Sequence, residues 1–114
     1  MSWYSICPYD SLPVDRGVCA LVDGEQVALV RTHEGSLYAV DNLDPFSGAM
    51  VMSRGIVGSR GDADVLVSPM DKLAYDLATG EGLDRPDVWL RVHDVRVIDG
   101  AVEVRLAQAV AQPA

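Results

Sequence analysis

The side chains able to do chemistry fall in two short segments, Asp44-Pro45-Phe46-Ser47-Gly48 and Ser68-Pro69-Met70-Asp71-Lys72. Asp44, Ser68 and Asp71 offer oxygen donors, with no nitrogen or sulfur among them. A hard cation takes six or more oxygen ligands, so three make a poor site. Aspartates in Pro- and Gly-rich segments commonly accept hydrogen bonds from turn amides, and that role is expected for both. Asp71 is further expected to pair with Lys72 or Arg54. Other candidates stand alone. His33 lies between Thr32 and Glu34-Gly35, a turn composition, and His93 alternates with apolar neighbours as a strand residue does. Neither has an evident orienting partner, which acid–base or nucleophilic catalysis needs. Cys7 and Cys19 are too few for a disulfide framework and read as small apolar residues with free thiols. The glycines from Gly55 to Gly61 lack the following helix of a phosphate-binding loop. Trp3 and Trp89 read as core or interface anchors.

The elements that must hold the two segments are strands. Val88, Leu90 and Val92 alternate with Trp89, Arg91 and His93, and Val95, Val97, Val102 and Val104 continue the pattern. A period of two marks half-buried strands. Asp99-Gly100 interrupts the run with a tight hairpin signal, and Asp23-Gly24 does the same between Val18–Val22 and Gln26–Arg31. Shorter strands are expected at Ser36–Val40 and Asp64–Val67. No window carries a capped helical stripe. The stretches 41–60 and 68–72 have loop composition, and long loops on a rigid scaffold often carry function. The fold class is therefore all-β, a sandwich or small barrel, with one domain over residues 1–106 and a loose tail over 107–114.

Composition narrows the partners. The chain has 114 residues and a net charge of −8, a length that allows one domain with a real core. Its nine Lys and Arg are scattered. Binding nucleic acid or an anionic membrane surface requires clustered cations, so both are disfavoured. No apolar stretch approaches the roughly 20 residues of a membrane helix, and the first ten residues lack signal-peptide character. A cytoplasmic location is expected.

The two loops resemble the Rieske ferredoxin family, whose members carry Cys-Pro-His-x-Gly in one loop and Cys-Pro-x-His-Gly-x-x-Phe-Asp-Leu-x-Thr-Gly-Glu in the other. Pro45 and Gly48 match the first; Pro69, Tyr75, Asp76, Leu77, Thr79, Gly80 and Glu81 match the second. The resemblance extends through the flanking strands and implies a Rieske-like fold. A Rieske centre takes two Cys on one iron and two His on the other. By position those ligands fall on Asp44, Phe46, Ser68 and Asp71, and none is a Cys or His. No cofactor or metal is expected on this chain. Phe46, Met50, Met52 and Met70 are expected to fill the vacated space as an apolar plug.

Within the Rieske-like group, Asp44-Pro45-Phe46-Ser47-Gly48 followed by Ser53-Arg54-Gly55-Ile56-Val57-Gly58 resembles the small subunits of assimilatory NAD(P)H-dependent nitrite reductase. That resemblance implies a large-subunit partner bearing FAD, an iron–sulfur cluster and sirohaem, which reduces nitrite to ammonium. The small subunit then acts by binding, as a structural or regulatory part without catalytic residues. The docking face is expected at the former cluster loops, with Phe46, Met50 and Met70 rimmed by Arg54 and Lys72. A Rieske-type electron carrier for an oxygenase or reductase is the alternative function, and a ligand-binding β-domain a third.

Overall fold

Residues Glu25–Arg31 set the architecture. Val27, Ala28, Leu29 and Val30 are four apolar residues in succession, and all four are buried. A strand points alternate side chains to opposite faces, so a strand buried at every residue must be covered on both sides. The computed structural model, which describes residues 2–108, bears this out. Val27 and Leu29 pack in one apolar cluster with Leu12, Val22, Ala39, Val102 and Val104. Ala28 and Val30 pack in another with Val40, Met52, Leu66, Tyr75, Leu77 and Leu90.

Nine strands run through the described residues: β1 (Tyr4–Pro8), β2 (Arg16–Val22), β3 (Glu25–Arg31), β4 (Leu37–Asp41), β5 (Ile56–Arg60), β6 (Ala63–Val67), β7 (Ala74–Asp76), β8 (Val92–Ile98) and β9 (Ala101–Arg105). They form a six-stranded sheet in the order β1-β9-β8-β4-β3-β2 and a three-stranded sheet, β5-β6-β7. Every strand pair is antiparallel. The β2–β3 and β8–β9 hairpins close at Asp23-Gly24 (φ 48° and 82°) and Asp99-Gly100 (φ 50° and 79°). Two successive positive φ values give the turn whose twist matches paired strands. No helix among the described residues is long and apolar enough to cross a membrane.

Three details differ from the sequence-based expectations. The stretch 41–60 contains a short 3-10 turn at Met52–Arg54 and the whole of β5, which pairs with β6 from Ile56↔Val67 to Arg60↔Ala63. Gly58, Ser59 and Arg60 dilute its apolar alternation. Val88–Leu90 joins no strand; Trp89 makes a single bridge to Glu81, while Leu90 is buried and its amide donates to the Gly80 carbonyl at 2.8 Å. Its alternation reflects burial without a ladder. The tail, expected to begin at 107, is pinned at Ala107, whose amide donates to His93 Nδ1 (2.9 Å) and whose carbonyl accepts from Arg91 (3.2 Å). The rest of the expected tail, 109–114, lies outside the described residues.

The segment 75–81 shows how sequence fixes the second loop. Asp76 Oδ1 accepts the amides of Ala78 (2.8 Å) and Thr79 (3.3 Å), and Thr79 Oγ1 accepts the Glu81 amide (3.2 Å). These are side-chain turns of the kind Asp and Thr favour. Gly80 sits at φ 85°, and a Cβ there would stand 1.9 Å from the Leu90 carbonyl oxygen. Backbone conformation and the close approach of 88–90 both require glycine. Gly24 also has positive φ (82°) but faces open space. Gly80→Ala should therefore destabilise the fold by roughly 3 kcal/mol or more, from strain plus overlap, and Gly24→Ala by only about 1 kcal/mol. Urea unfolding of the two variants checks this; equal losses would show that the contact with 88–90 gives way freely.

Candidate functional site

Both former ligand loops end in turns built on their own side chains. In the first, Asp44 Oδ1 accepts the amides of Phe46 (2.9 Å) and Ser47 (3.2 Å), and the Gly48 amide donates to the Asp44 carbonyl (2.8 Å). In the second, Ser68 Oγ accepts the Met70 amide (3.2 Å), Asp71 Oδ1 accepts the Leu73 amide (3.0 Å), and Lys72 takes φ 65°. The loops are joined where the Ser68 hydroxyl donates to Asp44 Oδ2 at 2.5 Å, with both residues fully buried. The expected turn role of the two aspartates is thus realised, and Asp44 carries the inter-loop link besides.

The electrostatics of this lock are asymmetric. Burial pushes the Asp44 carboxyl up, but the Ser68 hydroxyl, the adjacent Asp71 carboxyl and the two loop amides together hold it below the ordinary carboxylate range. For Asp71, burial raises the carboxyl; the Leu73 amide works against this, while the charge of Asp44 adds to it, and the result is a raised pKa. Asp71 Oδ2 is buried without a hydrogen-bond partner of normal geometry, as is the hydroxyl of Tyr75. Burial, then the charges of Asp44 and Asp71, push the Tyr75 phenol up as well. Neither Lys72 nor Arg54 pairs with Asp71, contrary to expectation. Lys72 Nζ reaches the Pro69 carbonyl (3.5 Å), and Arg54 lines a separate cleft with Arg16.

The donor set does not fit a Rieske cluster. Such a cluster needs thiolate and imidazole; three of the four positions here present oxygens, and all but Asp71 Oδ2 are engaged with one another or with loop amides. The fourth, Phe46, has no donor atom and is 50% exposed. This also overturns most of the expected apolar plug. Only Met52 is buried, in the core beneath the loops; Met50 is 46% and Met70 60% exposed. The lock between Asp44 and Ser68 already holds the loops together, which leaves Phe46, Met50 and Met70 at the surface.

Phe46 and Met50 have different surroundings. The guanidinium of Arg85 lies over the Phe46 ring, 5.1 Å from its centroid, and is itself held by Asp87 at 2.8 Å. Met50 lines a groove of about 290 Å³ with Leu21, Leu43 and Arg91. Sequence reasoning missed Arg85, whose only signal is a charged residue in a loop. It also missed a polar network that lines that groove with Glu25, Asp41 and Arg91 and reaches the buried His93. His93 has a side chain without exposure; its Nε2 lies 2.8 Å from Asp41 Oδ1, and its Nδ1 accepts the Ala107 amide. An acceptor Nδ1 carries no proton, so Nε2–H donates to Asp41. Arg91 clasps Asp41 (3.0 and 3.1 Å) and also contacts Glu25. His93 therefore has an orienting partner after all, but no nucleophile stands beside it, and the network ties β4 to β8. His33 is an exposed turn residue as expected, with Nδ1 3.0 Å from Asp15. Cys7 and Cys19 are free thiols, and Cys19 is exposed. Trp3 stacks under Arg96 (3.9 Å), and Trp89 Nε1 donates to the Pro86 carbonyl (3.1 Å).

The asymmetry of the lock predicts opposite effects from two isosteric changes. The fold favours ionised Asp44, so that contribution is present at neutral pH and is lost as pH falls through the acid range. It favours protonated Asp71, so that contribution is complete at acid pH and is lost as pH rises through the raised value. Asp44→Asn should cost on the order of 1–3 kcal/mol at pH 7 and less at pH 4. Asp71→Asn, which mimics the protonated acid, should be at least as stable as the parent at pH 7, with the advantage shrinking by pH 4. Urea midpoints at the two pH values are the measurement. Equal losses from both variants at pH 7 would contradict the asymmetry.

Residues 2–105 match the family described as Rieske-like [2Fe-2S] domain. The chain is 36% identical over 104 residues to the nitrite reductase (NADH) small subunit of Salmonella typhimurium, covering 90% of this chain and 96% of that one. Among solved structures, a chain from Mycobacterium tuberculosis described as an NADH-dependent nitrite reductase small subunit superimposes with a TM-score of 0.88 at 50% identity, covering 93% of this chain and 96% of that one. A nitrite reductase [NAD(P)H] large subunit from Klebsiella oxytoca contains a segment 36% identical over 110 residues, which spans 96% of this chain and 11% of that protein. With its Rieske-like scaffold and oxygen-only loops, the chain belongs to the Rieske-like family, among the small subunits of NADH-dependent nitrite reductase.

Proposed function

We propose that this chain is the non-redox small subunit of a cytoplasmic NAD(P)H nitrite reductase, acting in nitrate assimilation. It binds a large subunit carrying FAD, an iron–sulfur cluster and sirohaem, where nitrite is reduced to ammonium, and contributes no catalytic residue itself. The observation that carries this is the Klebsiella oxytoca large subunit, which holds a segment related to nearly the whole of this chain within one polypeptide. A domain that is covalently part of the large subunit in one organism has a ready role as its bound partner in another. Binding the folded form of a partner stabilises it, which is enough to make a non-catalytic subunit necessary. The alternative, a Rieske electron carrier, needs thiolate and imidazole where this chain has Asp44, Phe46, Ser68 and Asp71.

The docking face is assigned to the tip of the two loops. Phe46, Met50 and Met70 are each exposed in or just after the two loops; Arg85 lies over the Phe46 ring, Lys72 belongs to the second loop and Arg54 to the turn that follows the first. Interfaces favour such aromatic, Met and Arg content. The loop backbone is fixed by the Asp44–Ser68 bond, so these side chains are presented from a preorganised surface, which limits the entropy lost on binding.

A tagged copy of the chain, pulled from its own cells grown on nitrate, should bring down a coloured sirohaem flavoprotein, while the tagged chain alone is colourless. An isolated chain that is itself brown, with no such partner, would restore the electron carrier. In the same assay Phe46→Asp with Met70→Asp should weaken the complex at least about tenfold with an unchanged melting temperature. Unchanged affinity rejects the loop tip as the docking face.

A further inference from the structure

Nine Lys and Arg face seventeen Asp and Glu in this chain, so most cations find an acceptor within the fold. Arg60 pairs with Asp84, Arg85 with Asp87, Arg96 with Glu103, Arg105 with Asp94, and Arg91 with Glu25 and Asp41. Arg31 donates to the carbonyls of Tyr9 and Leu12, and Lys72 reaches that of Pro69. Among the described residues, Arg16 and Arg54 differ: neither side chain has a carboxylate partner or a hydrogen bond. They line the same cleft, of about 320 Å³, with Gly17, Ser53 and Gly55.

The backbone is built to bring these two together. Arg16 opens β2 and precedes Gly17; Arg54 closes the Met52–Arg54 turn and precedes Gly55. A Cβ at Gly17 would stand 2.4 Å from the Ser53 carbonyl oxygen, and one at Gly55 would stand 2.5 Å from that of Val67. Both approaches need glycine, and together they press the turn against β2 and β6. The turn is also tied to the first loop, since the amides of Met52 and Ser53 donate to the Asn42 carbonyl (3.0 Å) and Oδ1 (2.7 Å). The cleft is therefore continuous with the loop that carries Phe46.

Two unpaired guanidinium groups in one concavity repel each other, and an incoming anion relieves the repulsion. Guanidinium presents donors in a planar fork that matches a carboxylate. The cleft is open and both arginines are exposed. A small free anion there would stay hydrated and weakly held, whereas a carboxylate carried on a protein arrives with a surface that excludes water. We propose that this cleft is a carboxylate socket, which receives an Asp or Glu side chain of the large subunit between Arg16 and Arg54 as the two proteins dock. The proposal rests on the large subunit being the partner, as set out above.

The test is the affinity of the full chain for the purified large subunit at several salt concentrations, with Arg16→Gln/Arg54→Gln as the variant. The double variant is expected to bind roughly 10- to 100-fold more weakly, with a flatter salt dependence and an unchanged melting temperature. Arg54→Glu alone should be weaker than Arg54→Gln. Phenylglyoxal labelling read by mass spectrometry supplies an independent measure: Arg16 and Arg54 should react in the free chain and be protected in the complex. If the parent binds and the double variant binds equally well with the same salt dependence, the socket is rejected and the partner stands. If both arginines remain reactive in the complex, the socket is likewise rejected. If the parent itself does not bind the large subunit, the functional reading falls, and the socket falls with it.

Discussion

The hydrogen bond from Ser68 to Asp44 is the constraint on which the two-loop end of this domain depends. In a metal-bearing relative of this fold, a cluster ligated from both loops would hold them at a fixed separation. Here a buried hydroxyl and a buried carboxylate do so at 2.5 Å. A hydrogen bond to a charged group in a dry site is worth about 1.5–3 kcal/mol, and removing one partner would leave the other buried and unsatisfied. The loop geometry of a Rieske-like domain is thus kept without the chemistry that usually demands it. The remaining parts follow from this bond: Asp44 spends its second oxygen on the Phe46 and Ser47 amides, and Ser68 accepts the Met70 amide. The side chains of Phe46 and Met70 are thereby turned to the surface by the same atoms that close the loops.

Under the lock lies a core whose polar atoms are mostly accounted for, with two exceptions, the Tyr75 hydroxyl and Asp71 Oδ2. Both sit in the field of ionised Asp44. A buried acid beside a buried carboxylate is held most easily when only one of them is charged. The second polar network, His93–Asp41–Arg91–Glu25, resolves the same problem differently, by placing a cation between two acids. Asp41 anchors the end of β4 to β8, and three residues later Asp44 anchors the loop to Ser68. Between them, Asn42 holds the Met52–Arg54 turn. The path of the chain from strand to loop is therefore fixed by the largely covered Asp41 at one end and the buried Asp44 at the other.

Much of this was legible in the sequence, and what was not has a physical reason. Asp23-Gly24 and Asp99-Gly100 announce their hairpins because the turn chemistry is local, needing only two residues able to take positive φ. The segment 75–81 is legible for the same reason, since Asp76, Thr79 and Gly80 build their turns with neighbours a few residues away. The misfit of Asp44, Phe46, Ser68 and Asp71 to a Rieske cluster follows from residue types alone. By contrast, the outward placement of Phe46, Met50 and Met70 depends on whether the space between the loops is already filled, and that is decided by Asp44 and Ser68, 24 residues apart. The partner of His93 lies 52 residues away and becomes visible only through the β4–β8 register, where Ala39 faces His93 and puts Asp41 on the same side. β5 was hidden because its outer half is glycine and polar residues, a composition that an edge strand tolerates and a core strand does not.

The distribution of charge makes the last link from fold to role. A chain with net charge −8 resists nonspecific association with other acidic proteins, which keeps it soluble but weakens any encounter with an acidic partner. Specific docking then needs a local exception. In the proposed docking face that exception is Arg85 over Phe46, Lys72 in the second loop, and Arg54 on the turn that follows the first. An apolar centre gives non-directional attraction, and cations at its edge set register and reject wrong partners. An electron carrier would need its redox centre within reach of the partner's, so its loop tip is shaped around ligands. Under the proposed binding role those positions are judged by surface chemistry alone, and a phenylalanine where imidazole would be required elsewhere suits the interface proposed for it.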